Sequence, residues 1–115
     1  MIGYWQDVNH NYRLHTVADT LFLARRSGDG KTDHLQAVRL DLEPQTLYVF
    51  KLRLENGPQT TKLYGKVWRE EEREPGEWLL TAEDTNLSRY TAGAVGFWTL
   101  RAAGSFDNLV VAPNR

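Results

Sequence analysis

The sequence predicts an all-β fold, an antiparallel β-sandwich of jelly-roll-like kind. Three observations carry that expectation. Apolar and polar residues alternate with a period of two in nearly every window. Turn-forming residues recur at intervals of roughly 8–12 residues, the spacing of a sandwich or barrel. No window sustains the period of a helix. Period two marks a strand because successive side chains point to opposite faces, so a strand with one buried face reads apolar–polar–apolar.

The elements follow in order. The chain reads as strand from its first residues, through Tyr4 and Trp5 to Asp7. Residues 11–17 and 20–26 read as a hairpin turning at Asp19, and Ser27-Gly28-Asp29-Gly30 as a loop. A strand is expected over 35–42, closed by Glu43-Pro44-Gln45. Next, Tyr48, Phe50, Leu52 and Leu54 interleave with Lys51, Arg53 and Glu55, a half-buried strand ended by Asn56-Gly57-Pro58. In the strand expected over 60–69, Leu63, Gly65 and Val67 share one face, and Lys62, Tyr64, Lys66 and Trp68 the other. Strands over 78–82, 94–100 and 105–111 complete the set. The run Arg69-Glu70-Glu71-Glu72-Arg73-Glu74 has helical propensity, but Pro75-Gly76 stops it at once, so it reads as a solvated loop.

Composition bounds the function classes. The 115 residues suit one domain spanning 1–115. A net charge of -1 supplies no general attraction to nucleic acid or anionic lipid, so neither is an expected partner. Without cysteine the chain has no disulfides and no thiolate metal site. No apolar run reaches the roughly 18 residues of a membrane-spanning helix. The first residues lack the basic and apolar regions of a secretory signal. The sequon Asn86-Leu87-Ser88 therefore carries little weight.

The pattern Lys66-Val67-Trp68, a charged loop, Glu74-Pro75, Trp78, then Gly96-Phe97 and Phe106-Asp107-Asn108, resembles the concanavalin A-like lectin/glucanase superfamily. It looks most like bacterial laminin-G-like jelly-roll modules, from about Tyr12 onward. The resemblance implies two curved antiparallel sheets, often with carbohydrate on the concave sheet or its rim. It would place the chain outside the cell or at a surface. Two departures qualify it. Family domains are longer, so early strands are expected to be missing on the N-terminal side. The Glu-x-Asp-x-x-Glu strand of the glucanase members is absent, which argues against hydrolysis. No cofactor is expected from the residues themselves; members of the superfamily often hold a structural calcium, and Asp107 is the residue the resemblance puts forward as its ligand.

Candidate constellations are weighed against plainer roles. Retaining glycosidases need two carboxyl groups about 5 Å apart. Asp41 and Glu43 share a face by spacing, but Pro44 puts Glu43 at a strand end; Glu83 and Asp84 are adjacent and point apart. Glu70, Glu71, Glu72 and Glu74 read as solvated loop residues. His10, His15 and His34 lack the spacing of a helical zinc pair. Gly30-Lys31-Thr32 lacks the upstream glycine of a phosphate loop, since Arg25 stands there. Asp29, Lys31 and Asp33 mimic part of a calcium loop that the lysine spoils.

The aromatic residues carry the strongest signal. A pyranose has apolar C–H patches and polar edges, so flat rings beside hydrogen-bonding groups suit it. Tyr64 and Trp68 share a strand face with Lys66, and Lys51 and Arg53 fall on the same side of the neighbouring strand. These five are the expected ligand-binding residues. The plainer role is a clamp, in which Trp68 and Trp78 hold the loop between them. A basic, aromatic face would also suit single-stranded nucleic acid, but neutral net charge and scattered cations oppose that.

The leading expectation is a non-catalytic carbohydrate-binding or adhesion module of a bacterial or phage protein. The alternative is a structural or interaction subunit of an oligomeric surface or virion assembly, because a sandwich short of strands leaves edges that pair with other chains; a homo-oligomer is then expected. The third is a remnant of a glycoside hydrolase, for which no converging acids are visible.

Overall fold

The structure is a computed structural model and describes residues 1–96 and 110–112. It is all-β, with no helix among the described residues. The strands are β1 (Ile2–Asp7), β2 (His10–Val17), β3 (Thr20–Arg26), β4 (Thr32–Arg39), β5 (Tyr48–Asn56), β6 (Thr61–Arg69), β7 (Leu80–Asp84) and β8 (Ala94–Gly96). They form a five-stranded sheet in the order β4-β3-β2-β1-β8 and a three-stranded sheet in the order β5-β6-β7. All pairings are antiparallel. The expected two-sheet sandwich is therefore what the chain forms. Within it, consecutive strands are neighbours, so the described connections run as two meanders. The chain changes sheet between β4 and β5 and again between β7 and β8.

Local chemistry explains the element ends. The β2–β3 hairpin turns through Ala18 and Asp19, with Val17 opposite Thr20 and Ala18 at a left-handed φ of 52°. The strand expected over 35–42 begins earlier, at Thr32. Asp29 accepts from the Ser27 hydroxyl and the Lys31 N–H, and the Ser27 N–H bonds the Lys31 carbonyl, so the turn is complete by Lys31. The ladder ends at Arg39 because the Leu40 N–H is taken by the Asp19 carbonyl at 2.7 Å. The strand expected over 78–82 starts at Leu80, since Trp78 is drawn onto the face of its own sheet. Of the strands expected over 94–100 and 105–111, only Ala94–Gly96 and residues 110–111 are described, and the latter are not in strand.

The core lies between the sheets. Tyr12, Leu14, Leu21 and Leu23 come from the larger sheet, Leu63, Val67 and Leu80 from the smaller, and Tyr90 from the β7–β8 connection. Phe50, Leu52 and Leu54 close the β5 side. Leu14 and Leu23 approach β6 at Gly65, where a Cβ would stand 2.7 Å from the Leu14 side chain. Gly93 has the strictest requirement. Its φ is 149°, and a Cβ there would meet the Tyr4 and Trp5 backbone within 2.7 Å. That contact lies where β1 is irregular against both neighbours.

One end of the core is polar. The Tyr12 hydroxyl donates to Asp84 at 2.7 Å and accepts the Tyr90 N–H at 3.2 Å. Arg25 Nε lies 3.3 Å from Asp84, an ion pair whose angle falls short of a hydrogen bond, while Arg25 Nη2 donates to the Ser88 carbonyl at 3.0 Å. Thr61 donates to the Tyr90 carbonyl at 3.0 Å. Burying an arginine and an aspartate costs several kcal/mol of desolvation, which these contacts offset. Their structural effect is to tie the β7–β8 connection to the sandwich.

Candidate functional site

The site is built by the β5–β6 register. Val49 lies opposite Trp68, Lys51 opposite Lys66, and Arg53 opposite Tyr64. Directly opposed residues project to the same face of an antiparallel pair. That face is the outer one, because Phe50, Leu52 and Leu54 take the inner side beside Val67, Gly65 and Leu63. The five residues expected from the sequence, Tyr64, Lys66, Trp68, Lys51 and Arg53, thus share one outer face.

Their environment departs from expectation in one respect. Lys66 is 4% exposed, although it belongs to the solvent-facing row. The cause is the segment 70–78, which folds back over the sheet as a strap. Its start is fixed by the Glu70 N–H on the Leu47 carbonyl at 3.0 Å and by Arg69, paired to Glu43 at 2.5 Å. Its return is fixed by Lys66. The Lys66 ammonium donates to the Pro75 carbonyl at 2.6 Å and pairs with Glu74 at 2.9 Å. Glu74 Oε2 also lies 2.9 Å from the Lys51 ammonium. The Trp78 ring packs on Tyr64, with centroids 5.5 Å apart, and covers the Lys66 ammonium at 4.6 Å. Trp68 flanks the same ammonium at 5.7 Å, and Lys51 lies 5.8 Å from the Trp78 ring. Lys66 is therefore a buried cation held by a carboxylate, a carbonyl and two aromatic faces.

Arg53 and Tyr64 form the neighbouring half of the surface. The Arg53 guanidinium lies 5.6 Å from the Tyr64 ring and pairs with Glu55. The Tyr64 hydroxyl donates to Glu55 at 3.0 Å. That hydrogen bond raises the Tyr64 phenol above its usual range. The two ammonium hydrogen bonds, that of Lys66 first and of Lys51 second, hold the Glu74 carboxyl below the usual carboxylate range.

Two participants were missed by the sequence reading. Glu74 reads as a solvated loop acid, and the structure corrects that: it bridges two lysines. Trp78 reads as a clamp, and it does hold the strap, but it is also the third ring of the surface. A signal for Glu74 was present. Two lysines directly opposed across a strand pair repel each other and call for an anion.

The other constellations do not assemble. Among the described residues no three His, Asp or Glu side chains are placed to hold a metal ion. His15 and His34 do meet, 5.8 Å apart with Phe22, on the larger sheet, but His10 is bound to Asp7 instead. Asp29 pairs with Lys31 within its turn, Asp41 with Arg39, and Glu43 with Arg69. Glu83 is exposed and Asp84 buried, pointing apart as adjacent strand residues must. Gly30, at a left-handed φ of 79°, leads into β4 and not into a helix. Asp107, the expected calcium ligand, lies outside the described residues, as do Phe97, Phe106 and Asn108. A cleft of about 350 Å³ opens between β1 and β5, lined by Met1, Tyr4, Leu52, Leu54 and Val110. Its polar side chains are those of Tyr4 and Arg53.

No known family, curated protein or solved structure matches this chain.

Proposed function

We propose that the outer face of the β5–β6–β7 sheet is the carbohydrate-contacting surface of a non-catalytic binding module with a concanavalin A-like sandwich. The observation that carries this reading is the grouping of Tyr64, Trp68 and Trp78 with Lys51, Lys66 and Arg53 on one sheet face. Rings supply stacking area for the apolar face of a sugar, and the cations supply hydrogen-bond donors for its hydroxyls. Two of the carboxylates on this face, Glu55 and Glu74, are engaged by cations, and Glu83, which the register also places there, is exposed. Trp68 is the residue to change, because it is partly exposed and bears on Lys66 from outside the strap. Trp68→Ala is expected to abolish retention on immobilised glycan while leaving the β-sheet circular dichroism unchanged. Equal retention of the variant and the parent protein would refute the assignment.

A second reading, an interaction subunit, is favoured by the sheet edges. Among the described residues β4 and β7 each pair on one side only, and the two strands lie close together. Such edges accept further strands. This reading expects an oligomer in light scattering across a dilution series; a monomer at low micromolar concentration contradicts it.

A further inference from the structure

We infer that Glu74 is the internal occupant of an anion site, and that the external ligand of this site is a sugar carboxylate, as in a uronic acid. The inference rests on the glycan-binding reading and specifies its ligand. One carboxylate oxygen of Glu74 lies 2.9 Å from both the Lys51 and the Lys66 ammonium, the length of a charge-assisted hydrogen bond. Without an anion between them, two cations opposed across the strand pair would repel. The strand register therefore sets the cationic pair, and the loop supplies the anion.

Three features make that anion replaceable. The first is charge: two ammonium groups against one carboxylate leave the cluster positive by one. The neighbouring Arg53–Glu55 pair is balanced and does not cancel it. The second is donor capacity. Each ammonium has three N–H groups. Lys66 directs bonds to Glu74 and the Pro75 carbonyl, and Lys51 to Glu74, so donors remain for a second acceptor. The third is location. The Glu74 side chain is 46% exposed and Lys51 47%, whereas the Lys66 side chain is 5% exposed. The carboxylate can swing into water, while Lys66 stays fixed by Pro75 and by the Trp68 and Trp78 rings. An entering uronate would place its carboxylate on the two ammonium groups and its ring beside Trp78. Because Glu74 is tethered to the site, it competes at high effective concentration and weakens any external acid.

The experiment compares the parent chain with Glu74→Gln and Lys51→Met by calorimetric titration with oligogalacturonate and, separately, with the neutral oligogalactan. Glu74→Gln keeps the size of the side chain and an acceptor oxygen but removes the competing charge. It is expected to bind oligogalacturonate about tenfold tighter than the parent chain, the equivalent of one charge-assisted hydrogen bond. Lys51→Met, at a half-exposed position, is expected to bind it about tenfold more weakly. For the neutral oligogalactan, Glu74→Gln should bring no such gain, and Lys51→Met, which removes one hydroxyl donor of the same surface, should lower affinity by less than it does for oligogalacturonate. If oligogalactan binds the parent chain but Glu74→Gln leaves oligogalacturonate affinity unchanged or reduced, the internal-occupant inference is overturned and the glycan reading stands. If neither sugar binds any of the three proteins, both fall together.

Discussion

His15 shows how a single side chain couples fold to solution conditions. Burial first, then the neighbouring His34, Arg13 and the chain-terminal amino group, depress its pKa from 6.5 to about 4. The unfolded chain therefore takes up a proton below pH 6.5 that the folded chain refuses until about pH 4. Stability from this residue is complete above 6.5, declines as the pH falls through that window, and levels off below 4. Relative to the parent protein, His15→Gln should flatten this decline, by on the order of 2–3 kcal/mol at pH 4 in urea unfolding. Parallel pH dependences for the two proteins would show that His15 does not carry the effect. The sequence alone could not supply this. His15 sits at an outward position of β2, and its burial depends on Phe22 and His34, which only the β2-β3-β4 register brings beside it. Lys66 teaches the same point. Its row on β6 was legible from alternation, but its burial was not, because alternation describes a strand and says nothing of a loop laid over it.

At the scale of elements, strands with strict alternation were the most legible. The β2–β3 hairpin and β5 and β6 lie within a residue or two of where the period-two pattern puts them. β4 and β7 shifted because turn hydrogen bonds and the position of Trp78 set their starts, and neither leaves a periodic trace. Tyr90 was invisible for a related reason: it is a core residue supplied by a connection, so no pattern announces it. The strap 70–78 is the element on which the site depends. Its highly charged composition reads as a loop, yet Glu74, Pro75 and Trp78 each bind Lys66. Local stability of such a segment follows its few anchoring contacts. Trp78→Ala removes the ring that covers Lys66 and packs on Tyr64. It should speed limited proteolysis at the Arg73–Glu74 region severalfold while the two-sheet core remains protected. Unchanged cleavage there would mean that the ion pairs alone hold the strap.

For the whole molecule, the sandwich follows from how the two sheets divide the apolar residues. Each sheet has one apolar face, and the leucines of β2 and β3 close on β6 where Gly65 leaves room. The smaller sheet is left with an outer face that is aromatic and cationic, and the strap covers only part of it. The fold class was legible because it depends on periodicity. The proposed ligand surface was half legible: register could be inferred strand by strand, but the strap's contribution is a tertiary fact. The most direct measurement is a calorimetric titration of the parent chain and Trp68→Ala with the same set of acidic and neutral oligosaccharides. The account predicts saturable binding by the parent chain that Trp68→Ala weakens at least about tenfold, the loss of one stacking contact. Binding of equal strength by both proteins, or none by the parent chain, would contradict it.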